Sequence, residues 1–215
     1  MDGFVIKPRR ETCITDEQLF ALYKDAYSQW SDAGIESSWR DFTQEDFEHL
    51  SRYAAKASVF VAIDKDTGEL LGAHTLRANK RTRVVNTSAL AVASKAKGHG
   101  IASALLRFEA DRARKAGFRY FRDSTATNAT WSVNWHLKNG YRIVGYKRSE
   151  TDNHPSYVFR LQLQPSILWS GPLAPITARV CYLCSYIVTN LIKDSKGRFN
   201  VLGRIAKFFL RRNFL

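Results

Sequence analysis

The pattern of apolar and polar residues in the first third of the chain predicts one strand and two helices. An apolar run at 4–6, which Pro8 ends, is typical of a short strand. Thr15 and Gln18 have the spacing of a capping box, which predicts that a helix begins here. The apolar residues of that helix recur every three or four positions: Leu19, Leu22, Tyr23, Ala26 and Trp30. A second run with helical spacing predicts another helix that begins at Thr43.

From residue 58 onward the pattern changes to apolar runs that are separated by short turns. The runs at 58–63, 70–76 and 82–93 predict three antiparallel neighbours, since the turns between them are short. A helix is expected over 97–117, and Gly117 is expected to end it. The remaining predicted elements are a strand at 118–124, a helix at 128–139 and strands at 141–146 and 156–163.

The order of these elements predicts an α+β domain over residues 1–164. It has a mixed, mostly antiparallel central sheet with flanking helices. In its last strand every second residue is apolar, which predicts one buried face. The residues expected on that face are Tyr157, Phe159, Leu161 and Leu163.

Residues 165–215 form an extension of different composition. Its first part contains several Pro and Gly residues and is typical of a linker, and 166–192 is apolar with Arg179 as its single charge. That segment is long enough to span a bilayer, but an arginine near its middle costs about 3 kcal/mol on insertion. We therefore do not expect it to span a membrane.

Residues 193–215 contain seven Lys or Arg and one Asp. The apolar residues of 201–211 fall on one side of a helix and the basic residues on the other, so we expect a basic amphipathic helical tail. Such a helix can pack on its own domain, on a second copy of the chain in a homodimer, or on an anionic membrane surface. The sequence leaves these alternatives open.

Composition limits the class of protein. The 215 residues are 45% hydrophobic and 25% charged, which is typical of a globular chain, and the net charge of +13 indicates a polyanionic partner. Cys13, Cys181 and Cys184 form no disulfide framework, and the closely spaced pair lacks the further ligands of a metal site. The N-terminal residues lack the apolar core of a signal peptide. We expect a cytoplasmic protein without a metal, peripheral on the inner face of the membrane if its tail binds lipid.

The stretch KGHGIASALL at 97–106 places two glycines and a lysine before a predicted helix. A helix start presents unpaired backbone N–H groups and the positive end of the helix dipole. Glycines there allow the backbone to approach an anion closely. The loop can therefore bind a pyrophosphate, although the same pattern also occurs in turns without a ligand.

The loop and the strand before it resemble the GNAT superfamily of CoA-dependent N-acetyltransferases. The loop of that family reads Arg or Gln, two residues, Gly, one residue, then Gly or Ala; Lys97 at the first place keeps the charge but not the guanidinium fork. The resemblance implies that the main chain of Leu90 and Val92 pairs with the pantetheine arm of acetyl-CoA. It also implies that the pyrophosphate is held by Lys97, Gly98, His99, Gly100, Ile101, Ala102 and Ser103.

A second stretch, NATWSVNWHLKNGYRIVGY, resembles another motif of the same family. Ser132 matches its small residue, and Gly140 with Tyr141 matches its strand opening. His136 takes the place of a tyrosine that protonates the leaving thiolate in the family, which a histidine can also do; a packing role is the alternative. Asn128 is expected to contact CoA. The resemblance covers about residues 58–163 and extends toward 4–163.

The resemblance implies transfer of an acetyl or other short acyl group to a primary amine in a ternary complex. The acceptor is a small-molecule or lipid-linked amine. The strand VVNTSALAV contains no carboxylate, so the general base stays open. Asp123, at the end of the next strand, is the preferred candidate, with a turn residue as its alternative role. Asn86, Thr87 and Ser88 could instead orient a water. His74, on the neighbouring strand, is another candidate base, but we expect a hydrogen-bonded core histidine there. Two other functions stay open: a catalytically silent CoA-binding module that docks through its basic tail, and, supported by charge alone, a nucleic-acid binder.

Overall fold

The computed structural model describes residues 3–32, 43–45, 47–48, 58–148 and 155–191. In these ranges seven strands form a mixed, mostly antiparallel sheet in the order β1-β2-β3-β4-β5-β7-β6, which confirms the predicted α+β class. The strands are β1 (Phe4–Pro8), β2 (Ser58–Asp64), β3 (Leu70–Asn79), β4 (Val84–Val92), β5 (Tyr120–Ala126), β6 (Arg142–Arg148) and β7 (Pro155–Gln162). The long helices are α1 (Asp16–Asp32), α2 (Ile101–Lys115), α3 (Thr130–Lys138) and α4 (Ala174–Leu191).

The capping box predicted at the start of α1 is confirmed. The Thr15 N–H donates to Gln18 Oε1 at 2.9 Å, and the Gln18 N–H donates to Thr15 Oγ1 at 3.3 Å. Of the helix predicted from Thr43, residues 44, 45, 47 and 48 are described and helical. The rest of that helix and the whole of the predicted tail helix lie outside the described residues.

The chain divides into two compact units, Met1–Phe121 and Arg122–Leu215. In the first, β1 to β4 form an antiparallel meander whose buried positions include Val61, Ala62 and Ala73, each fully inaccessible to solvent. Gly72 on β3 allows α2 to lie close to this sheet. A Cβ there would lie 3.0 Å from Ile101 Cγ2 and 3.1 Å from the Ala91 carbonyl oxygen. This close approach sets where the first turn of α2 lies relative to β3 and β4.

A buried polar pair lies between β3 and α2. His74 Nδ1 is 2.6 Å from Glu109 Oε2, and the two side chains are 1% and 0% exposed. The expectation of a hydrogen-bonded core histidine at position 74 is confirmed. Its partner Glu109 was not expected, and burial raises the pKa of that carboxyl above its usual value although His74 opposes the shift.

In the second unit α4 packs on the β6–β7 pair. The core of this contact consists of Val144, Val158, Trp169, Ala178 and Cys181. The predicted inward residues Phe159 and Leu163 are buried, whereas Tyr157 and Leu161 are only half-buried. Val158 and Arg160 are buried as well, so burial is not confined to one face of β7. The Arg160 guanidinium stacks on the Trp169 ring with its Cζ atom 3.9 Å from the ring centroid, which gives this buried charge a cation–π partner. No described helix has the length and hydropathy that crossing a membrane requires.

Candidate active site

The loop between β4 and α2 contains two glycines with a left-handed backbone. Ser94–Ala96 form one 3₁₀ turn, Lys97 is extended, and Gly98 and Gly100 both have φ of +77°. A Cβ at either glycine would meet nothing within 4 Å, so the left-handed conformation, and not lack of space, requires glycine here. The loop is therefore held in a form that other residues adopt only with strain.

The start of α2 leaves its amides available to an anion. The N-cap residue, Gly100, has no side chain that could accept a hydrogen bond from the first amides of the helix. No acidic residue lies in the first turn. The first internal helix bond in this turn runs from the Ala104 N–H to the Gly100 carbonyl oxygen, at 2.9 Å. The N–H groups before Ala104 have no acceptor within the helix. This end of the helix is electropositive and suits a phosphate group.

Two contacts from distant parts of the chain fix the loop. Asp25 of α1 accepts the Ser94 N–H and the Ser94 hydroxyl, each at 2.7 Å, and Lys95 forms an ion pair with Glu69. Within the loop, His99 Nδ1 donates to the Lys97 carbonyl oxygen at 2.9 Å. Sequence reasoning missed Asp25 because its partner lies 69 positions away.

Asp25→Asn is expected to raise the KM for acetyl-CoA about 3- to 10-fold and to change kcat little. The amide keeps only one acceptor oxygen, so one of the two bonds to Ser94 is lost, and each such bond contributes about 1 kcal/mol. Steady-state kinetics with varied acetyl-CoA would measure this effect. Asp111→Asn, on the exposed surface of α2, removes the same charge without touching the loop and serves as the control. Equal KM values in the two variants would contradict the anchoring role of Asp25.

A β-bulge lies on β4 just before the loop. Ser88 pairs with Thr75 and Ala91 with Ala73, so Ala89 and Leu90 together lie opposite the single residue between them on β3. Ala89 has φ of +47°, which is uncommon for a residue other than glycine.

Tyr23 of α1 makes hydrogen bonds that stabilise this bulge. Its hydroxyl donates to the Ala89 carbonyl oxygen at 3.3 Å and lies 3.2 Å from Thr75 Oγ1. Burial raises the pKa of Tyr23 to about 12, so the hydroxyl stays protonated and able to donate. The bulge changes the direction of the main chain at Leu90, one of the two residues expected to pair with pantetheine, whereas Val92 lies opposite Gly72 in the regular ladder.

In the second unit, the two residues expected to be catalytic lie side by side. His136 Nε2 is 3.1 Å from Asp123 Oδ2, and His136 Nδ1 is 2.7 Å from the Ser132 carbonyl oxygen. The Ser124 N–H donates to Asp123 Oδ1 at 2.6 Å, which fixes the orientation of the carboxyl group. The imidazole stacks on Phe159 at 4.4 Å between centroids, with Tyr141 at its edge.

These contacts determine where the protons of the pair lie. A carbonyl oxygen only accepts, so His136 Nδ1 carries hydrogen. A hydrogen bond between His136 Nε2 and Asp123 Oδ2 requires one proton between these two atoms. The histidine side chain is only 6% exposed and the aspartate 18%. In that hydrogen-bonded state the pair has one transferable proton, and the more accessible end of the pair is the carboxyl group.

The expected CoA residues divide between the two units. Leu90, Val92 and the loop from Lys97 to Ser103 lie in the first unit, at the end of β4 and the start of α2. Asn128 lies in the second, exposed in the turn before α3, where its carbonyl oxygen accepts the Thr130 N–H at 2.9 Å. Burial lowers the pKa of Lys97, and the charge of Asp25 opposes this shift.

Solved structures with a similar fold come from bacterial acetyltransferases. An IAA acetyltransferase from Bacillus cereus is 18% identical over 75% of this chain and 100% of its own, with a TM-score of 0.55. A GNAT family acetyltransferase from Elizabethkingia anophelis, solved with acetyl-CoA bound, is 18% identical over 76% and 100% of the two chains, with a TM-score of 0.55. A Bacillus subtilis acetyltransferase in complex with CoA is 15% identical over 75% and 100%, with a TM-score of 0.57. At identities this low, the similarity shows a shared fold and nothing more.

The family of the chain is shown by a family model, whereas the structural similarity alone shows only the fold. No curated protein matches the sequence. The model of the acetyltransferase (GNAT) family matches residues 17–141, which is more than half of the chain and runs from α1 through the glycine loop to Tyr141. Transfer of an acyl group from acyl-CoA is general in this family. On the strength of this match, the chain belongs to the GNAT family of acetyltransferases.

Proposed function

We propose that this protein transfers an acetyl or other short acyl group from acyl-CoA to a primary amine by direct attack in a ternary complex. The neutral amine forms a C–N bond to the thioester carbonyl carbon, and the C–S bond breaks. The nitrogen then loses a proton and the thiolate gains one, so the products are an amide and free CoA. The observation that carries the proposal is the pair of left-handed glycines, Gly98 and Gly100, before an uncapped helix start.

In this proposal the residues of the β4–α2 segment bind the cofactor. The amides of residues 98–103 hold the pyrophosphate, Lys97 adds charge, and the main chain of Leu90 and Val92 pairs with the pantetheine arm. Asn128 is a further proposed contact to CoA. The support is the conformation of the loop, its anchoring by Asp25 and the bulge that precedes it.

His136 and Asp123 are the proposed acid–base pair. The reaction removes one proton from nitrogen and places one on sulfur, so a pair with a single transferable proton can return to its starting state after each turnover. Because the ring nitrogens of His136 face Ser132 and Asp123, the proton exchanges with the reactants through the carboxyl group of Asp123. His136 then acts as the positioning residue that orients that carboxyl group and shares the proton with it.

The acceptor is proposed to be a small-molecule or lipid-linked amine on the cytoplasmic side of a membrane. The support is the basic segment 193–215, whose seven Lys or Arg residues suit an anionic surface. A panel of primary amines, assayed by release of free CoA thiol from acetyl-CoA, tests the transfer reaction. Binding of acetyl-CoA without turnover on any amine would instead indicate the silent CoA-binding module.

Gly100→Ala is expected to weaken acetyl-CoA binding about 5- to 30-fold. A Cβ at φ of +77° costs about 1–2 kcal/mol, and the loop can avoid that strain only by leaving the conformation that aims its amides. Isothermal titration calorimetry would measure the change.

Gly117→Ala is the matched control for this experiment. Gly117 has φ of +78°, a Cβ there meets nothing within 4 Å, and it lies just beyond the other end of α2. The two variants therefore carry the same backbone strain at opposite ends of one helix. We expect equal losses of thermal stability and a loss of affinity in Gly100→Ala only. Equal affinities in two folded variants would refute the proposed pyrophosphate site.

A further inference from the structure

Helix α4 buries small side chains and exposes large apolar ones. The residues that it buries against β6 and β7 are small: Ala174, Ala178, Cys181, Ser185 and Thr189. The large apolar residues of the same segment point outward instead. A helix whose outer side faces water has the opposite arrangement, with its large apolar side chains in the core.

The outward residues form a continuous stripe. Those within α4 recur every three or four positions, which places them along one line of the helix, about 16 Å long at 1.5 Å per residue. The stripe consists of Leu173, Ile176, Val180, Leu183 and Ile187, with exposed fractions from 38% to 60%. Ile167 and Leu168, in the turn that precedes this segment, are also exposed, at 86% and 50%. Among the described residues ten large hydrophobic side chains are exposed, and eight of them lie between 167 and 187.

Contacts with β6 hold the helix in this orientation. The Tyr146 N–H donates to Ser185 Oγ at 2.7 Å, and the Thr189 hydroxyl donates to the Tyr146 carbonyl oxygen at 3.2 Å. A rotation of α4 that buried the stripe would break both bonds and expose Cys181 and Ala178. The outward direction of the stripe is therefore a stable feature of this unit, and a contiguous apolar surface of this length marks an interaction site.

The distribution of charge indicates what covers the stripe. Residues 122–215 contain 14 Lys or Arg and 4 Asp or Glu, a net charge of +10, whereas residues 1–121 contain 19 and 16, a net charge of +3. Nearly all of the excess charge thus belongs to the unit that carries α4. A second copy of this unit would bring two charges of +10 together, and a nucleic acid would make no use of an apolar stripe. An anionic lipid bilayer satisfies both features, since its acyl region accepts the apolar side chains and its headgroups attract the cations.

We propose that the outer face of α4 docks in the plane of an anionic bilayer, with Leu173, Ile176, Val180, Leu183 and Ile187 in contact with the acyl chains. The basic residues that the structure describes in the same unit pair with the headgroups. This inference does not depend on the proposed transfer reaction, because lipid binding and acetyl transfer to a soluble amine are measured separately.

Sedimentation of the full chain with vesicles tests the proposal. We expect binding to vesicles of phosphatidylglycerol and phosphatidylcholine, and binding at least about tenfold weaker to pure phosphatidylcholine. The double variant Ile176→Gln/Leu183→Gln is expected to lower the affinity for the anionic vesicles by a further factor of about ten or more, since two apolar side chains no longer enter the lipid. Both residues are exposed, so the melting temperature should stay unchanged.

Leu137→Gln is the matched control. Leu137 is 46% exposed, close to the 56% of Leu183, and lies in the same unit on α3. Its variant should bind vesicles within about twofold of the unmodified chain, since no lipid contact is lost. Equal binding by the double variant and the control would overturn the proposal. So would a lipid-independent dimer that fails to bind vesicles and that the double variant dissociates, because a second copy would then cover the stripe.

Discussion

Asp123→Asn is expected to lower kcat for acetyl transfer by about 10²- to 10⁴-fold, the usual contribution of a positioned acid or base. The asparagine amide can donate a hydrogen bond to His136 Nε2, so the ring keeps its place against Phe159 and its bond to Ser132. The pair then contains no proton that can be exchanged, because Nδ1–H is bonded to a carbonyl oxygen and an amide does not titrate. The chemistry is lost while the local structure is kept.

Further measurements on the Asp123→Asn variant separate a catalytic role of Asp123 from a structural one. The KM for acetyl-CoA and the melting temperature of Asp123→Asn should stay close to those of the unmodified chain. Stopped-flow measurement of thiol release gives kcat. The plot of kcat against pH should lose, in the variant, the rise or fall that titration of the pair causes. His136→Phe, which keeps the aromatic stack on Phe159, is expected to lower kcat and to shift that rise or fall to a different pH. Full activity in Asp123→Asn would show that the pair only packs the second unit.

The elements of the sheet and of α1 to α3 could be predicted because local pattern determines them. Alternation and helical spacing depend on the burial of one face, and the bonds between Thr15 and Gln18 are made within one turn of α1. The place of the glycine loop was predictable for the same reason, since two glycines and a lysine lie next to a predicted helix start, whereas the left-handed conformation of Gly98 and Gly100 came from the structure. The class of fold and the place of the cofactor loop therefore needed little knowledge of distant contacts.

The features that the sequence did not reveal depend on contacts between distant residues. Asp25 reaches Ser94 only after folding, and nothing local marks Ala89 as a bulge, because alanine rarely adopts a positive φ. Helix α4 itself was missed, because its stretch of the chain was predicted to be an apolar linker. The residues that it buries are small and its large apolar residues point outward, so no buried apolar face marks it in the sequence. Glu109 was predictable in part, since it shares the helical face of Ile101 and Leu105.

Glu109→Ala is expected to destabilise the protein by about 3–5 kcal/mol, the usual cost of breaking a buried polar pair by removing one partner. The variant leaves the buried His74 without its 2.6 Å contact and opens a cavity between α2 and β3. A domain of this size has a total stability of about 5–15 kcal/mol, so this loss is a large share of it. Urea unfolding followed by circular dichroism would measure it.

Glu109→Gln separates the charge of the pair from its shape. The amide fills the same space and can hydrogen-bond to His74, so near neutral pH we expect a smaller loss than in Glu109→Ala. Since burial raises the pKa of Glu109, the folded state holds its proton more tightly than the unfolded state does. The stabilisation linked to that proton is complete below the ordinary pKa of glutamic acid, about 4.3, and is lost as the pH rises through the raised value.

Glutamine does not titrate, so the Glu109→Gln variant lacks this dependence. The difference in free energy of unfolding, unmodified chain minus Glu109→Gln, should therefore fall as the pH is raised from about 4. Urea titrations of both proteins at a series of pH values give that difference directly. A difference that stays constant would mean that folding does not shift the titration of the carboxyl group. A difference that grows with pH would mean that folding lowers its pKa, and that the attraction of a charged His74 outweighs desolvation at this pair.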